Sequence, residues 1–431
     1  MAASNDRNKV LLSEGSSSSA RQTLYSLGRY VVDIADPSPV CQCRFSRLVR
    51  RWHRCPSLSR SPAAYLRFLA DKIHEEECDV LFPTHEQVYL LARFRESLQP
   101  HVGIALPSFD ALRRMQSKSE FAQLSEEVNL PFPKTRVVRT EAELASVTEL
   151  PGYVKLPHGT AGYGVKHVES ADDLRRAYEQ FRKAGAIAEH EELVIQKPAH
   201  GIQGVAQSVF QHGRLVATHC SEARYVGIGG GQMLRVSASH PAVIEDLKKL
   251  GRHLHWRGAL FLDYFYDAEN GKVEYIEANP RIGETLSSRI CGVNLCDILV
   301  QVSLGNHVEP CGPTRPGVWS HNGFLVLLAR ALQGARRRDL IAECWRLLRG
   351  TGSYAGCQNE MTRPAEDWAS AIPAIAVTLQ LLASPKSADR IVRRTVDNYS
   401  LPAAAVGRID DLPQSVLEGH LRELKPDPTE P

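Results

Sequence analysis

Residues 258–281, GALFLDYFYDAENGKVEYIEANPR, constrain the fold more than any other stretch of this chain. Two apolar, aromatic-rich runs flank an Ala-Glu-Asn-Gly segment, the pattern of two antiparallel strands joined by a tight turn. Alternate residues of a strand share a face, so Glu277, Asn279 and Arg281 point the same way. A three-residue loop, Glu269-Asn270-Gly271, pairs Ala268 with Lys272 and sets Asp263 directly across from Glu277. A two-residue loop would put the two acids on opposite faces. Gly271 in a left-handed conformation suits the bulge that the longer loop needs. Two carboxylates meeting an amide oxygen at a strand end repel one another without a cation. The set therefore reads as a hard-cation site, for Mg²⁺ or Mn²⁺. Arg281 stands just beyond it, placed to meet a phosphate or carboxylate oxygen.

The rest of the chain supplies the frame. Its 431 residues, 43% hydrophobic and 23% charged, suffice for two or three packed domains. A net charge of +3 gives no reason to expect nucleic acid or an anionic membrane as partner. The longest apolar run, AIPAIAVTLQLLA (371–383), is too short to span a bilayer and reads as a buried helix. The N-terminus lacks a basic-then-apolar signal pattern, so a cytoplasmic protein is expected. The ten cysteines show no CxxC spacing and read as scattered reduced thiols.

KVLLS (9–13), the turn GSSSSA (15–20), a helix over 20–28 and RYVVDIAD (29–36) open a parallel α/β unit. The small residues let the turn close and cap the helix, but there is no GxGxxG to suggest a nucleotide. In CRFSRLVRRWHRC (43–55) the arginines fall at helical spacing, the pattern of a solvated basic face. A helix over 61–77, a strand over 78–86 and a helix over 88–98 complete a small doubly wound domain, residues 1–106. From 107 two helices precede a strand-dominated stretch to 310, with helices over 171–185 and 240–255. Residues 311–422 read as mainly helical, either a cap or dimer surface or a contributor to substrate choice. The polar, proline-rich residues 423–431 read as a disordered tail. There is no internal repeat.

HGTAGYGVK (158–166) is a glycine-rich turn between two strands. Its glycines let backbone amides approach phosphate oxygens, although it leads into a strand and so is not a GxxxxGK[ST] loop. Lys155 stands on the preceding strand and Lys118 lies in MQSKSEF, after a helix. A small α/β domain, the SKSEF lysine, the VK lysine, the glycine loop, LVIQKPA, LDYF and IEANPR follow in that order. In this order the chain resembles the ATP-grasp superfamily over most of residues 9 to about 310. IEANPR is similar to the corresponding segment of biotin carboxylases and carbamoyl-phosphate synthetases.

The resemblance implies an α/β (α+β) ATP-grasp fold with residues 107–310 as its ATP-grasp domain and residues 134–200 as a mobile lid. It implies that Lys118 and Lys155 hold the α- and β-phosphates of ATP. Gly159, Thr160, Gly162, Tyr163 and Gly164 would close over the triphosphate. Gln196, Lys197 and Ala199 would meet adenine, and Asp263, Glu277 and Asn279 would bind Mg²⁺. Glu277, Asn279 and Arg281 would serve the transferred phosphoryl group. Many relatives hold the ribose with an acid near the hinge glutamine; here Lys197 and Gln203 stand there, and Gln203 is the candidate.

The implied reaction is ATP-dependent joining of a small carboxylate to an amine through an acyl phosphate. Transfer of the γ-phosphoryl needs positioning and charge neutralisation more than a covalent group from the protein. Glu284 and Arg289 in GETLSSR, and Arg224 and Arg235 in SEARYVGIGGGQMLRV, are candidates for the substrates, with His219 behind them. A bicarbonate-activating enzyme and a non-catalytic ATP-binding sensor are the alternatives. A homodimer is consistent with the class.

Overall fold

The structure, a computed structural model, describes residues 7–159, 162, 164–184, 187, 192–361 and 365–423. Strands β1 (Lys9–Leu12), β2 (Val31–Asp36), β3 (Val49–Arg54) and β4 (Val80–Phe82) form a parallel sheet in the order β3-β2-β1-β4. Alternation along β1 sends Leu11 to one core and Val10 and Leu12 to another. The first core lies under the helix Pro62–Glu75, the second under the helices Ser18–Ser26 and Leu295–Ser303. Apolar residues on both faces explain helices on both sides. In the serine turn Ser17 caps the helix, its Oγ accepting from the Ala20 N–H at 2.9 Å.

Two expectations fail in this region. Residues 49–54 are not a basic helix but the edge strand β3. Two of its three arginines are ion-paired rather than merely solvated: Arg50 with Asp33 at 2.6 Å and Glu76 at 2.9 Å, and Arg51 with Glu76 at 2.5 Å. Arginine spacing fitted a helix, but pairing with β2 decides the conformation, and charge protects the open edge. The helix expected over 88–98 is broken at Phe94 into Gln87–Arg93 and Arg95–Leu98.

Strands β5 (Thr135–Val138), β6 (Gly152–Lys155), β7 (Val165–Val168) and β8 (Leu193–Gln196) form a separate antiparallel sheet, in the order β5-β8-β6-β7. Its own core contains Val154, Ile195, Leu174 and Phe181. The helix Ala171–Lys183 covers it and begins in a Ser170–Asp173 capping box.

The third sheet carries the site. It contains β9 (Ile202–Gln211), β10 (Arg214–Val226), β11 (Gln232–Ala238), β12 (Gly258–Asp267), β13 (Lys272–Asn279), β14 (Trp319–His321) and β15 (Gln358–Asn359). Their order is β13-β12-β9-β10-β11-β14-β15. Leu260, Leu262, Tyr264 and Tyr275 face a core shared with Phe121, Leu247 and Leu250. Val209, Val216 and Ala259 face the second core of the N-terminal sheet.

Residues beyond 310 are not an independent helical unit, because β14 and β15 extend this sheet. The helices Gly323–Leu332, Arg337–Arg349, Ile372–Ala383 and Ala388–Val396 then pack together. The helices Ala403–Asp410 and Ser415–Glu423 return to the start of the chain, where Ala405, Ile409 and Leu417 join the core of Leu11 and Tyr65. Nearly all of the tail assigned to 423–431 lies outside the described residues. The helix Ile372–Ala383 is not buried as expected: Ile375 is 53% exposed and Leu379 61%, and only Leu381 is buried. One side packs on its neighbours while the other, equally apolar, stays open. Trp345 and Leu348 of the helix Arg337–Arg349, which packs on this one, are exposed as well. Among the described residues no helix is long and apolar enough to cross a membrane. All ten cysteines are unpaired.

Candidate active site

The β12–β13 hairpin brings the two acids together by a route other than the expected one. Asp267 pairs with Lys272, so the loop is the four residues Ala268–Gly271 rather than three. That register alone would set Asp263 against Ile276. An irregularity between the Asp263 and Tyr264 pairs leaves Ile276 unpaired and advances β13 by one residue, restoring Asp263 opposite Glu277. Gly271 is left-handed, with φ +64°.

Side chains from four parts of the chain converge there. Asn279 Nδ2 donates to Asp263 Oδ2 at 3.2 Å. Arg281 Nη2 donates to Asn279 Oδ1 at 3.2 Å, and its Nε to Glu86 Oε1 at 3.1 Å. Lys118 Nζ lies 3.2 Å from Glu277 Oε1. As expected it follows a helix end, that of Phe109–Gln116, and it opens the next helix, Lys118–Glu127, capped by Ser117. Lys155 Nζ donates to Gln196 Oε1 at 2.5 Å and lies 3.4 Å from the Ile276 carbonyl, the one at the bulge.

The electrostatics follow from burial and like charges. Burial, reinforced by Glu277, pushes Asp263 up to about 8. Burial, opposed by Glu277 and reinforced by Lys118, brings Lys155 down to about 8. For Glu86 burial acts upward, yet Arg281 and His85 outweigh it and hold the carboxyl at about 2. A half-buried acid that resists ionisation beside a second carboxylate is the setting a hard cation relieves, and the donors are all oxygen. The residues thus fit Mg²⁺ or Mn²⁺, provided the Asn279 amide turns over to aim Oδ1 at Asp263's side.

Gly162 and Gly164 are left-handed, with φ of +75° and +90°. A Cβ on Gly162 would stand 3.1 Å from Gly229 Cα, so the glycine turn meets the second glycine-rich segment. Gly159 is half-buried; Thr160 and Tyr163 lie outside the described residues. Gln196 also donates to Thr135 Oγ1 at 3.1 Å, and the Lys197 N–H to the Lys134 carbonyl at 2.9 Å. Ala199 follows, half-buried, and Gln203 donates to the Gly230 carbonyl at 2.7 Å.

The substrate candidates divide. Arg235 and Glu284 are ion-paired on the wall of a cavity of about 520 Å³ that also takes in Asp263, Glu277 and Arg281. Arg235 pairs in addition with the buried Glu360 at 3.0 Å. Arg224 is turned away: it is exposed, bound to Glu222 at 2.8 Å, and lies over the Trp319 ring. Arg289 is exposed and donates to the Tyr25 carbonyl at 2.6 Å, tying two helices together. Neither lines the cavity. His219 is buried against Thr314, and burial with Arg235 nearby lowers it to about 3.

Several cavity residues escape a reading of the sequence. His85 on the cavity wall and Glu86 behind it, paired with Arg281, follow the end of β4, where the polar PTHE ending was the available signal. Phe324, Leu328, Val377, Arg390 and Arg394 come from the C-terminal helices, which gave no local signal.

Comparison with known proteins agrees with this architecture. Residues 117–310 match the family model described as the carbamoyl-phosphate synthase L chain, ATP binding domain. The carbamoyl phosphate synthase large chain of Clostridium acetobutylicum is 22% identical over 221 residues, which cover 49% of this chain and 21% of that one. The chain therefore spans about a fifth of that relative's length. Carboxyaminoimidazole ribonucleotide synthase of Aspergillus clavatus, solved with ATP, superposes with a TM-score of 0.60 at 19% identity, covering 87% of this chain and 99% of that one. The biotin carboxylase domain dimer of Hydrogenobacter thermophilus 2-oxoglutarate carboxylase, solved with MgADP, ADP and bicarbonate, also gives 0.60, at 14% identity and 73% of each chain. The fold is the ATP-grasp fold. Over residues 117–310 the chain is similar to that ATP-binding domain in sequence as well as in fold.

Proposed function

We propose that the protein is an ATP-dependent ligase that joins a carboxylate to an amine, with Mg²⁺ as its cation. The observation that carries this reading is the convergence of Lys118, Lys155 and Arg281 on the facing pair Asp263 and Glu277. ATP bound there meets positive charge from three sides, which is what phosphoryl transfer demands. Asp263, Glu277 and Asn279 would hold the Mg²⁺, which supplies charge neutralisation to the phosphates. Lys118 and Lys155 take the α- and β-phosphates. The turn from Gly159 to Gly164, including Thr160 and Tyr163, covers the triphosphate and keeps water away. Gln196, Lys197 and Ala199 border the adenine, and Gln203 the ribose.

A carboxylate oxygen of the substrate attacks the γ-phosphorus, the bond to the β–γ bridging oxygen breaks, and ADP departs. Arg281, steadied by Glu86, faces the transferred group. The amine then attacks the acyl carbon, phosphate leaves, and the amine gives up a proton; Arg235 and Glu284 stand on the wall where the substrates enter. Activation of bicarbonate, suggested by the relatives' names, is the second reading. Beyond the residues assigned to ATP and Mg²⁺ the cavity continues to an apolar wall of Phe324, Leu328 and Val377, which bicarbonate has no use for and which supports a larger acid. We also propose a homodimer, supported by the exposed apolar side chains Trp345, Leu348, Ile375 and Leu379 on two helices that pack together.

The test is ADP release with ATP and Mg²⁺ against pooled amino acids and small carboxylates, with a bicarbonate-only arm and a Glu277→Ala control. Release that needs the pool and vanishes in the control supports the ligase. Release with bicarbonate alone moves the reading to carboxylation, and ATP binding without any release moves it to a sensor.

A further inference from the structure

We propose that the C-terminal helices close a chamber selective for a substrate that joins an apolar body to an anionic group distinct from the reacting one. The proposal rests on the ligase reading for what reacts, not for what binds. From Asp263 and Arg281 the cavity extends to the helices Gly323–Leu332, Ile372–Ala383 and Ala388–Val396. Its wall there is apolar: Phe324, Leu325, Leu328, Val377 and Ile391. Such a wall stabilises a ligand by removing apolar surface from water, and excludes small polar ones by offering them no partners.

The anionic group is placed by elimination among the cations of the cavity. Arg235 is compensated by Glu284 and Glu360. Arg281 is compensated by Glu86. His85 is kept neutral by burial and by Arg281. The N-terminus of the helix Ser18–Ser26 also lines the cavity, but Glu14 already fills it, accepting from the N–H groups of Ser16 at 2.7 Å and Ser17 at 2.9 Å. Arg390 and Arg394 remain. They lie one turn apart on the helix Ala388–Val396, both on the cavity wall, and neither has a hydrogen-bond or ion-pair partner among the described residues. A pair of uncompensated guanidiniums beside an apolar wall recognises an amphipathic anion.

Naphthoate, an aryl carboxylate, is the probe, its binding followed by fluorescence in the full chain beside naphthylmethylamine and acetate. Naphthoate is expected to bind more tightly than either. The double variant Arg390→Glu/Arg394→Glu is expected to weaken it about ten-fold or more, the worth of a charge-assisted hydrogen bond, and to turn the preference towards the amine. Arg390→Lys/Arg394→Lys keeps the charge and is expected to retain most of the binding. Val377→Asp tests the apolar wall, with thermal melting as a check that each variant folds. Naphthoate binding indifferent to the charge reversal, or an amine bound as tightly by the unaltered protein, overturns the proposal. Because the readout is binding, absence of ADP release with every acid and amine sinks the ligase reading alone and leaves the chamber standing.

Discussion

Asp263 and Glu277 face one another across β12 and β13 because Ile276 bulges out of the ladder between Tyr275 and Glu277. The same bulge aims the Ile276 carbonyl at Lys155, so one irregularity positions both signs of charge. Glu277→Ala removes a cation ligand and the partner of Lys118 together. ADP release is expected to fall about a hundred-fold or more, as on loss of a group that stabilises transition-state charge. Steady-state kinetics check this, with circular dichroism to show that the fold survives.

Lys155 sits at about 8, so its charge is lost as the pH rises through that value. ATP affinity is expected to weaken on the alkaline side of about pH 8, where the ammonium no longer meets phosphate. Lys155→Arg, whose charge persists, is expected to flatten the profile. Calorimetric titration of ATP across the range distinguishes the two.

Asp36 is buried in the serine turn and, through burial and the charge of Glu14, is pushed up to about 7. Its unfolded value lies near 3.8, so the folded state holds the proton more tightly. The stability this supplies is complete below the unfolded value and is lost as the pH rises towards about 7. Urea unfolding is expected to show a loss between about pH 4 and about pH 7 that Asp36→Asn reduces.

Gly162 combines a left-handed backbone with contact against Gly229. Gly162→Ala is expected to raise the KM for ATP while changing the melting temperature little, since the strain of about 1 kcal/mol falls on a surface turn. An unchanged KM would remove this turn from the nucleotide site.

Trp345→Glu puts a charge in place of one of the exposed apolar side chains of the C-terminal helices. A protein that sediments as a dimer is expected to become monomeric in this variant while keeping its fold.

The sequence shows much of the frame and only half of the site. The parallel N-terminal unit was legible because its strands are apolar on both faces, and the cation-site acids because strand alternation is rigid. Yet the Asp263–Glu277 pairing was reached through a loop one residue too short, offset by a bulge that Ile276 does nothing locally to announce. Lys118 and Lys155 were legible from their order along the chain. Glu86 was not, since it meets Arg281 across 195 residues. The arginines of β3 show the opposite failure, a local period overridden by pairing with β2. Arg224 and Arg289 lie close to the site in sequence, but the backbone turns them elsewhere.

The return of the last two helices to the first sheet has a practical consequence. Ala405, Ile409 and Leu417 fill the same interior as Leu11, Tyr65 and Leu66, so the two ends of the chain are stitched into one seam. Shortening the chain before residue 400 is therefore equivalent to hollowing out the N-terminal core. A fragment cut to the segment shared with its relatives would leave behind both the helix that carries Arg390 and Arg394 and the floor on which β4 presents Glu86.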